Sequence, residues 1–354
     1  MMTLRKIIAG LTSIPTSTSW YLADLGEALG KQALFTRQSP QRLKVLREHA
    51  LIESAVSSNR IEGVEVDQKR IGTLVFGKPH LRNRDEEEVQ GYRNALKLVH
   101  ENYKGLPVTE ETIKKLHALA RGDIWDAGVY KDKDVDIIEK YADGRQRIRF
   151  KSVPAGKTPE AMKELILRWD ECMREKPIHP LISMAAFNLD FLCIHPFRDG
   201  NGRASRLLLL LETYHLGYEV GRYVSLERII EQNDKRYYET LEQSSAGWHE
   251  GRHDPWPYIN YLLFILKAAY KEFEERVGQM SSPKGAKTEM IHAFIDRQIS
   301  SFRIADLQRE CPGVGVDLIR LTLKKFRAQK QIRLLGKGSA AAWEKTKKWE
   351  VGIT

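Results

Sequence analysis

The sequence is poor in cysteine and has no long apolar run. Its three cysteines, Cys172, Cys193 and Cys311, show no metal-type spacing, which argues against a disulfide framework and favours a reducing cytoplasm. No apolar stretch approaches the ~20 residues that a membrane-spanning helix needs. The apolar stretch near the N-terminus is also too short for the core of a signal peptide. We therefore expect a cytoplasmic protein with no membrane partner.

Internal repeats and low-complexity tracts are also lacking. The length of 354 residues predicts one large domain with smaller ones, and 42% hydrophobic with 29% charged residues is typical of a globular protein. Charge is unevenly placed, because residues 284–345 carry 13 Lys and Arg against 6 Asp and Glu, or +7 of the net +10. Such a bias indicates either a solvated basic face or a surface for nucleic acid or an acidic protein.

The residue pattern predicts a mainly helical chain. Residues 1–85 form an N-terminal helical region after an irregular start, with a helix that ends at Gly63. Residues 86–278 form the central domain, which is helical except between 128 and 154. There the residues alternate in polarity, and the Asp-Gly pair at 143–144 is a strong turn signal. We expect a two-stranded hairpin at this place in a helical domain.

The C-terminal part, residues 284–345, follows a Ser-Ser-Pro-Lys-Gly linker at 281–285. Its pattern predicts three helices and then a short hairpin. These elements are expected at 287–299, 303–310 and 316–329, with a turn at 312–315 and the hairpin around 336–338. Three helices and a hairpin are typical of a winged helix, a variant of the helix-turn-helix. A generic three-helix accessory domain is the alternative.

A short polar segment joins the two most apolar pieces of the chain. Residues 181–194 are apolar nearly all round and predict a buried helix, and 207–211 are five consecutive leucines. Between them lies the segment HPFRDGNGRASR, residues 195–206. A polar loop held by two core helices is the arrangement expected of an active site.

This segment has the properties of a phosphate site. Gly200 and Gly202 flank Asn201, so the backbone can adopt positive φ and turn its N–H groups inward as an anion-binding nest. Arg203 and Arg206 are then expected in the first turn of the next helix, where the helix dipole disfavours cations. A polyanion bound at this helix start would resolve the conflict.

The same segment supplies a base and a metal ligand. His195 can take a proton near neutral pH, and Asp199 offers the hard oxygen that Mg²⁺ uses together with substrate phosphates. A histidine beside an aspartate alone is more often structural. With a phosphate cradle in the same twelve residues, the pattern favours nucleotide-dependent transfer to a protonated nucleophile.

HPFRDGNGRASR fits every specified position of the pattern HxFx(D/E)GNGRxxR, and the chain thereby resembles the Fic family of protein adenylyltransferases. Weaker similarity extends over about 85–275 and includes EVQGYRNAL and KRYYETL. The resemblance implies the Fic fold, a helical core with a β-hairpin called the flap. It also implies transfer of AMP from ATP, with Mg²⁺, to a Ser, Thr or Tyr hydroxyl of a target protein.

The resemblance also assigns roles within the segment. His195 would deprotonate the target hydroxyl, which attacks the α-phosphorus of ATP. Phe197 would pack inward and hold the loop, and Asp199 would bind Mg²⁺. The phosphates would be held by Gly200, Asn201, Gly202, Arg203 and Arg206.

The flap would correspond to about 135–150. It would pair with an extended segment of the target and cover the nucleotide, which brings Ile137 and Ile138 near it. Tyr237 matches a tyrosine that lines the adenosine pocket in relatives. Ser245 stands where some relatives have Asn, so the base contacts of this chain differ from theirs.

A second motif precedes the central domain. SSNRIEG contains Ser58, Glu62 and Gly63, which fit the family's inhibitory pattern (S/T)xxxE(G/N), and the first two share one helix face. The resemblance implies that Glu62 pairs with Arg206 and keeps it from the γ-phosphate. Without the family context the motif is an ordinary Glu before a helix-ending Gly. In some relatives the same glutamate supports removal of AMP.

Other readings of the sequence stay open. HEGRH at 249–253, with Glu272, formally matches a zinc-protease motif, but Gly251 and the prolines at 255 and 257 break the helix that it needs. Kinase-like relatives lose the second glycine of the loop, and phosphocholine-transferring relatives lose its last arginine. This chain keeps both residues, as Gly202 and Arg206.

A regulator that binds DNA through 284–345 is a further alternative. Its third helix offers Arg320, Lys324, Lys325 and Arg327 for phosphate contacts but has no obvious base-reading set. The resemblance also leaves a homodimer open.

Overall fold

The protein is described by a computed structural model over residues 2–10, 13–36, 40–77, 80–140, 145–279, 286–298, 301–311, 314–336, 341–346 and Trp349. Within these ranges the chain forms fifteen α-helices and two antiparallel two-stranded sheets. The mainly helical fold that the sequence predicted is confirmed. No helix in these ranges combines the length and hydropathy that a bilayer crossing requires.

The N-terminal region is helical almost from its start. Its helices are α1 (Thr3–Ile8), α2 (Thr16–Thr36), α3 (Pro40–Ile61) and α4 (Gln68–Phe76). The irregular start that the sequence suggested is instead the short helix α1. Its first turn is held by Asp190 of the central domain, whose carboxylate accepts from the backbone N of Thr3 at 2.8 Å and of Leu4 at 2.9 Å. A distant side chain therefore caps a helix too short to be stable alone.

Eight further helices follow, and they share one apolar core with the four N-terminal helices. They are α5 (Arg84–Asn102), α6 (Glu110–Arg121), α7 (Thr158–Glu175), α8 (Pro180–Ile194), α9 (Asn201–His215), α10 (Leu226–Glu231), α11 (Asp234–Ser245) and α12 (Trp256–Gln279). Every residue of α8 from Leu181 to Ile194 is buried, as its all-round apolar sequence predicts. The central helix α8 and its neighbour α9 form the scaffold for the loop between them.

The hairpin interrupts the helices between α6 and α7. Strands β1 (Asp136–Lys140) and β2 (Gln146–Lys151) pair antiparallel, with a register shift between Ile137 and Ile138. The hairpin is thus present where the polarity alternates. The predicted turn at 143–144 lies outside the described residues.

The C-terminal part has its own apolar core. Helices α13 (Ala286–Arg297), α14 (Ile304–Glu310) and α15 (Val316–Ala328) precede strands β3 (Ile332–Leu335) and β4 (Ala342–Lys345). Phe302, between α13 and α14, also pairs with Trp343 of β4. The order of three helices and a hairpin agrees with the expectation, and the winged-helix assignment stays a prediction. Residues 281–285, 312–313 and 337–340 lie outside the described ranges.

Candidate active site

The turn between α8 and α9 carries the polar residues that the sequence singled out. His195 ends α8 in the left-handed conformation, with φ 53° and ψ 61°. Gly200, with φ 78°, precedes the first residue of α9. A non-glycine residue in the left-handed region is strained. The strain at His195 lets the chain leave the buried helix at once, so the imidazole stands at the end of a rigid element.

The loop is closed by Asn201. Its Oδ1 accepts from the backbone N of Phe197 at 2.9 Å, and its Nδ2 donates to the carbonyl of Phe197 at 2.8 Å. The Phe197 ring is fully buried and stacks on His117 with 3.7 Å between ring centroids. Asn201 therefore holds the shape of the loop. Phe197 packs inward, as the sequence predicted.

His117 fixes the loop from outside the motif. Its Nδ1 accepts from the backbone N of Gly128 at 2.9 Å, so the proton must lie on Nε2, which faces the carbonyl of Asp199 at 2.8 Å. Burial lowers the pKa of His117 to about 4, which keeps the ring neutral. A Cβ at Gly200 would lie only 2.7 Å from the Cδ of Arg121. This close approach, together with its positive φ, requires glycine at that place.

Asp199 points its carboxylate outward. Its side chain is 60% exposed, and Oδ2 lies 2.7 Å from the Nη1 of Arg121. Burial alone would raise the pKa of Asp199, but the guanidiniums of Arg121 and Arg203 outweigh it and hold the pKa below its usual range. The carboxylate is thus ionised and open to a cation or a charged ligand.

Arg203 is bound within the protein. The guanidinium is 2% exposed, and its Nη1 lies 2.7 Å from Oε2 of Glu88 on α5. The other oxygen of Glu88 is 2.9 Å from the Nη1 of Arg121. Glu88 therefore joins Arg203 to Arg121 and, through it, to Asp199.

The motif that the resemblance predicts to be inhibitory contacts Arg206. Oε1 of Glu62 accepts from the Nη2 of Arg206 at 2.8 Å. Ser58 adds two more acceptors at 2.8 Å, since its Oγ faces Nε and its carbonyl faces Nη2 of the same arginine. Gly63 has φ 79° and follows the end of α3. The sequence predicted Arg206 in the first turn of α9. Because α9 begins at Asn201, Arg206 lies in the second turn instead.

Glu62 also lies directly against the start of α9. A Cβ added at Gly202 would overlap Oε1 of Glu62. The first turn of a helix favours anions, because its N–H groups are free and the dipole is positive there. The carboxylate of Glu62 thus occupies the edge of the place where the sequence predicts phosphate binding.

His195 is electrostatically tuned to stay neutral. Burial and, to a lesser extent, the nearby charge of Lys131 lower the pKa of His195 to about 4. A backbone hydrogen bond with Leu192 and the charges of Glu62 and Asp199 act in the opposite direction. At neutral pH the imidazole is therefore in the form that can accept a proton.

A cavity of about 700 Å³, including its open mouth, adjoins these groups. Ile137, Tyr237 and Ser245 line it, together with His195, Gly202 and Glu62. Ile138 does not line this cavity, although the sequence placed it near the nucleotide. It is 49% exposed and pairs across the hairpin with Ile148, which is 51% exposed. Successive strand residues point to opposite faces, so the two isoleucines are separated.

Three supporting residues escaped the sequence analysis for a common reason. His117, Arg121 and Glu88 act on the loop from α5 and α6, and their sequence separation hides the contact. Of the three, only Glu88 could have been recognised from the sequence. It is four residues from the buried Tyr92, so a charge lies on the apolar face of α5.

The zinc-protease reading finds no support in the described residues. Residues 246–251 form turns and not the helix that the motif needs. Nε2 of His249 lies 2.7 Å from the carbonyl of Lys151, whereas Nε2 of His253 lies 2.9 Å from Oγ1 of Thr3. The described ranges contain no group of three or more His, Cys, Asp or Glu that could hold a metal.

Residues 107–212 match the model of the Fic/DOC family. The protein adenylyltransferase Fic of Nematostella vectensis is 25% identical over 225 residues, which cover 61% of this chain and 47% of the relative. The protein of the same name from Drosophila melanogaster is 24% identical over 240 residues, with 60% and 43% covered. The chain thus spans about half the length of the curated relatives it matches.

Two solved structures share the fold. A Fic family protein from Desulfovibrio desulfuricans G20 aligns with a TM-score of 0.61 at 20% identity, over 95% of this chain and 97% of that one. A Fic domain containing signaling protein from Bacteroides thetaiotaomicron VPI-5482 gives a TM-score of 0.59 at 21% identity, over 74% and 99%. The first alignment extends over nearly the whole of both chains.

Proposed function

Residues 107–212 of this chain match the Fic/DOC family, and from that premise we propose that the protein transfers AMP from ATP to a Ser, Thr or Tyr hydroxyl of a target protein. The observation that carries the proposal is the turn from His195 to Arg206. It brings a neutral imidazole and an ionised carboxylate to the start of α9, beside a cavity lined by Tyr237. These are the base, the metal ligand and the anion site that nucleotidyl transfer requires.

His195 acts as the general base. It takes the proton of the target hydroxyl as the hydroxyl oxygen attacks the α-phosphorus of ATP. The new oxygen–phosphorus bond forms while the bond to the bridging oxygen of the β-phosphate breaks, and pyrophosphate leaves. The negative triphosphate raises the pKa of His195 when it binds, because it favours the imidazolium. The base therefore becomes stronger once the substrate is present.

Mg²⁺ fits the exposed carboxylate of Asp199. One protein carboxylate together with substrate phosphates is a common way to hold this ion. When bound, Mg²⁺ would neutralise charge on the phosphates. The amides from Gly200 to Arg203 and the dipole of α9 would hold the phosphate oxygens, and Ile137 and Tyr237 would contact the adenosine.

Glu62 acts as a brake on this reaction. Arg206 donates to Glu62 and Ser58 in the structure, and a guanidinium so engaged cannot also bind the γ-phosphate. The carboxylate beside Gly202 further repels a phosphate at the same helix start. Release of Glu62 would permit productive ATP binding and self-modification. Removal of AMP with the help of Glu62 is an alternative activity of the same site.

Labelling with ATP tests the proposal. The Glu62→Gly protein is incubated with Mg²⁺ and ATP carrying its label at either the α- or the γ-phosphate. We expect the protein to keep the α-label and not the γ-label, and His195→Ala to abolish the reaction. Retention of the γ-label would indicate a kinase, and preferred use of GTP or UTP would contradict AMP as the transferred group.

The exposed face of α15 favours a second candidate, binding of duplex DNA by a winged-helix-like domain. The pairing of Phe302 with Trp343 adds a third strand segment to the hairpin, as in winged helices. The exposed cations of α15 are Arg320, Lys324, Lys325 and Arg327. Fluorescence anisotropy with duplex DNA should show salt-sensitive binding that Lys324→Ala weakens and Lys287→Ala, on α13, does not. Absence of binding at low salt would dispose of this candidate.

A further inference from the structure

One buried cation beside the active site has no part in the function proposed above. Lys131 lies on the segment that joins α6 to the hairpin and is 5% exposed. Its Nζ donates to Oγ of Ser152 at 2.7 Å and to the carbonyl of Ile194 at 3.2 Å. Its backbone N donates to the carbonyl of Pro196 at 2.9 Å. The two residues on either side of His195 are thus both held by this one lysine.

The ammonium also reaches the base of the hairpin. Ser152, which follows β2, donates from Oγ to the carbonyl of Val135, which precedes β1, at 2.6 Å. Lys131 therefore connects the outer ends of both strands to the turn that carries His195. The flap that would cover the nucleotide and the general base His195 therefore share this anchor.

Burial of this ammonium is costly. It lowers the pKa of Lys131 to about 8, and the charges of Asp134 and Asp136 offset only part of the effect. An apolar side chain such as Met would fill the same space without this penalty. A buried charge with a shifted pKa beside a reactive group is a candidate for a functional role.

We propose that Lys131 is a positioning residue of the transfer reaction, whose charged ammonium holds the turn of His195 against the flap and disfavours protonation of the imidazole. The catalytic part of this inference rests on the proposed function. The charged groups that act on His195 are Lys131, which disfavours the imidazolium, and Glu62 and Asp199, which favour it. In the absence of Lys131 the remaining two would raise the proton affinity of His195.

The charge requirement gives a distinctive pH dependence. Lys131 loses its proton near pH 8, so the rate should fall as the pH rises through that value. Lys131→Arg keeps its charge at every accessible pH, so its rate should stay level there. Lys131→Met should shift the acidic limb of the profile upward by about one pH unit, because His195 then keeps its proton to higher pH.

The rate experiment uses the Glu62→Gly protein and measures single-turnover AMP transfer from about pH 5 to about pH 10. Lys131→Met should lose about tenfold in rate at neutral pH, and Lys131→Arg should recover most of it. Lys133→Met is the matched control, since it removes an exposed lysine two residues away. A Met variant with a lower rate but an unshifted profile, or an Arg variant with the same alkaline fall, would overturn the proposal.

A titration of His195 by NMR in the absence of ATP separates this inference from the proposed function. The resonance is identified by its loss in His195→Ala, and Lys131→Met should raise the pKa of His195 whereas Lys133→Met should not. Circular dichroism confirms that the variants are folded. A raised pKa without AMP transfer in any variant would refute the proposed function but keep the electrostatic role of Lys131. AMP transfer with an unmoved pKa would refute that role.

Discussion

Two arginine–glutamate pairs lie on the first two turns of α9, and their surroundings differ. In the pair of Arg203 with Glu88 the side chains are 2% and 7% exposed, and Glu88 also contacts Arg121. In the pair of Arg206 with Glu62 the arginine is 3% exposed but the glutamate is 28% exposed. We therefore expect the pair of Arg203 with Glu88 to be a permanent contact and the pair of Arg206 with Glu62 to be an exchangeable one. What separates them is the access of solvent to the carboxylate.

The buried pair should produce the largest effect on stability. Glu88→Ala leaves the guanidiniums of Arg203 and Arg121 without their shared carboxylate, so the free energy of unfolding should fall by about 3–5 kcal/mol. Urea denaturation measures it. Glu101→Ala on the same helix is the control, because Glu101 is 59% exposed and its Lys97 partner is 3.9 Å away. Equal stability of the two variants would erase the distinction between the pairs.

The exchangeable pair should govern activity and leave stability nearly unchanged. Glu62→Gly removes the carboxylate from Arg206, and loss of this competing charged hydrogen bond, worth about 1.5–3 kcal/mol, should raise the apparent ATP affinity by about ten- to a hundredfold. Calorimetric titration with ATP and the rate of self-modification measure the gain. Glu65→Gly, an exposed change on the adjoining segment, is the control. A Glu62 variant with unchanged ATP binding and rate would contradict the brake.

An unpaired carboxyl near the other end of α9 gives the smallest effect for a change of one pH unit. Glu212 is fully buried, neither of its oxygens has a hydrogen-bond partner among the described residues, and burial raises its pKa well above the usual value. The folded protein therefore keeps a proton that the unfolded chain releases, and this contribution to stability is lost as the pH rises above about 4.5. Glu212→Gln cannot titrate, so it should be free of this loss.

Urea denaturation across this pH range tests the effect. Between pH values of about 5 and 7, wild type should lose about 1.4 kcal/mol of stability per pH unit relative to Glu212→Gln. Parallel stability curves for the two proteins would show that Glu212 is charged or paired in the folded state.

The contiguous part of the site could be predicted from the sequence, and the supporting part could not. His195, Asp199 and Arg206 fall within twelve residues between two apolar helices, so the local pattern was sufficient. His117, Glu88 and Lys131 act on the same turn from distant segments, and only the packing of the helices brings them there. A sequence motif gives no information on which distant residues lie close to it in the folded protein.

Two local details show the same limit. The helix α1 depends on Asp190, which follows it by 187 residues, and its first turn therefore looked irregular in the sequence. Ile137 and Ile138 are neighbours of one residue type, yet a register shift between them and the alternation of strand faces put one in the cavity and the other on the surface. In the first case tertiary context outweighs local propensity, and in the second the alternation along a strand separates adjacent residues.

The missing side chain of Gly202 has a consequence for how the protein would respond to the cell. The carboxylate of Glu62 lies directly above the bare backbone at Gly202, and under the proposed function a phosphate of ATP would need the same small volume. Binding would then follow mass action: more nucleotide would shift the population toward the open form, and anything that holds α3 in place would shift it back. The nucleotide concentration needed to displace Glu62 would depend on how firmly the end of α3 is held. Small changes far from the nucleotide would be enough to alter that concentration.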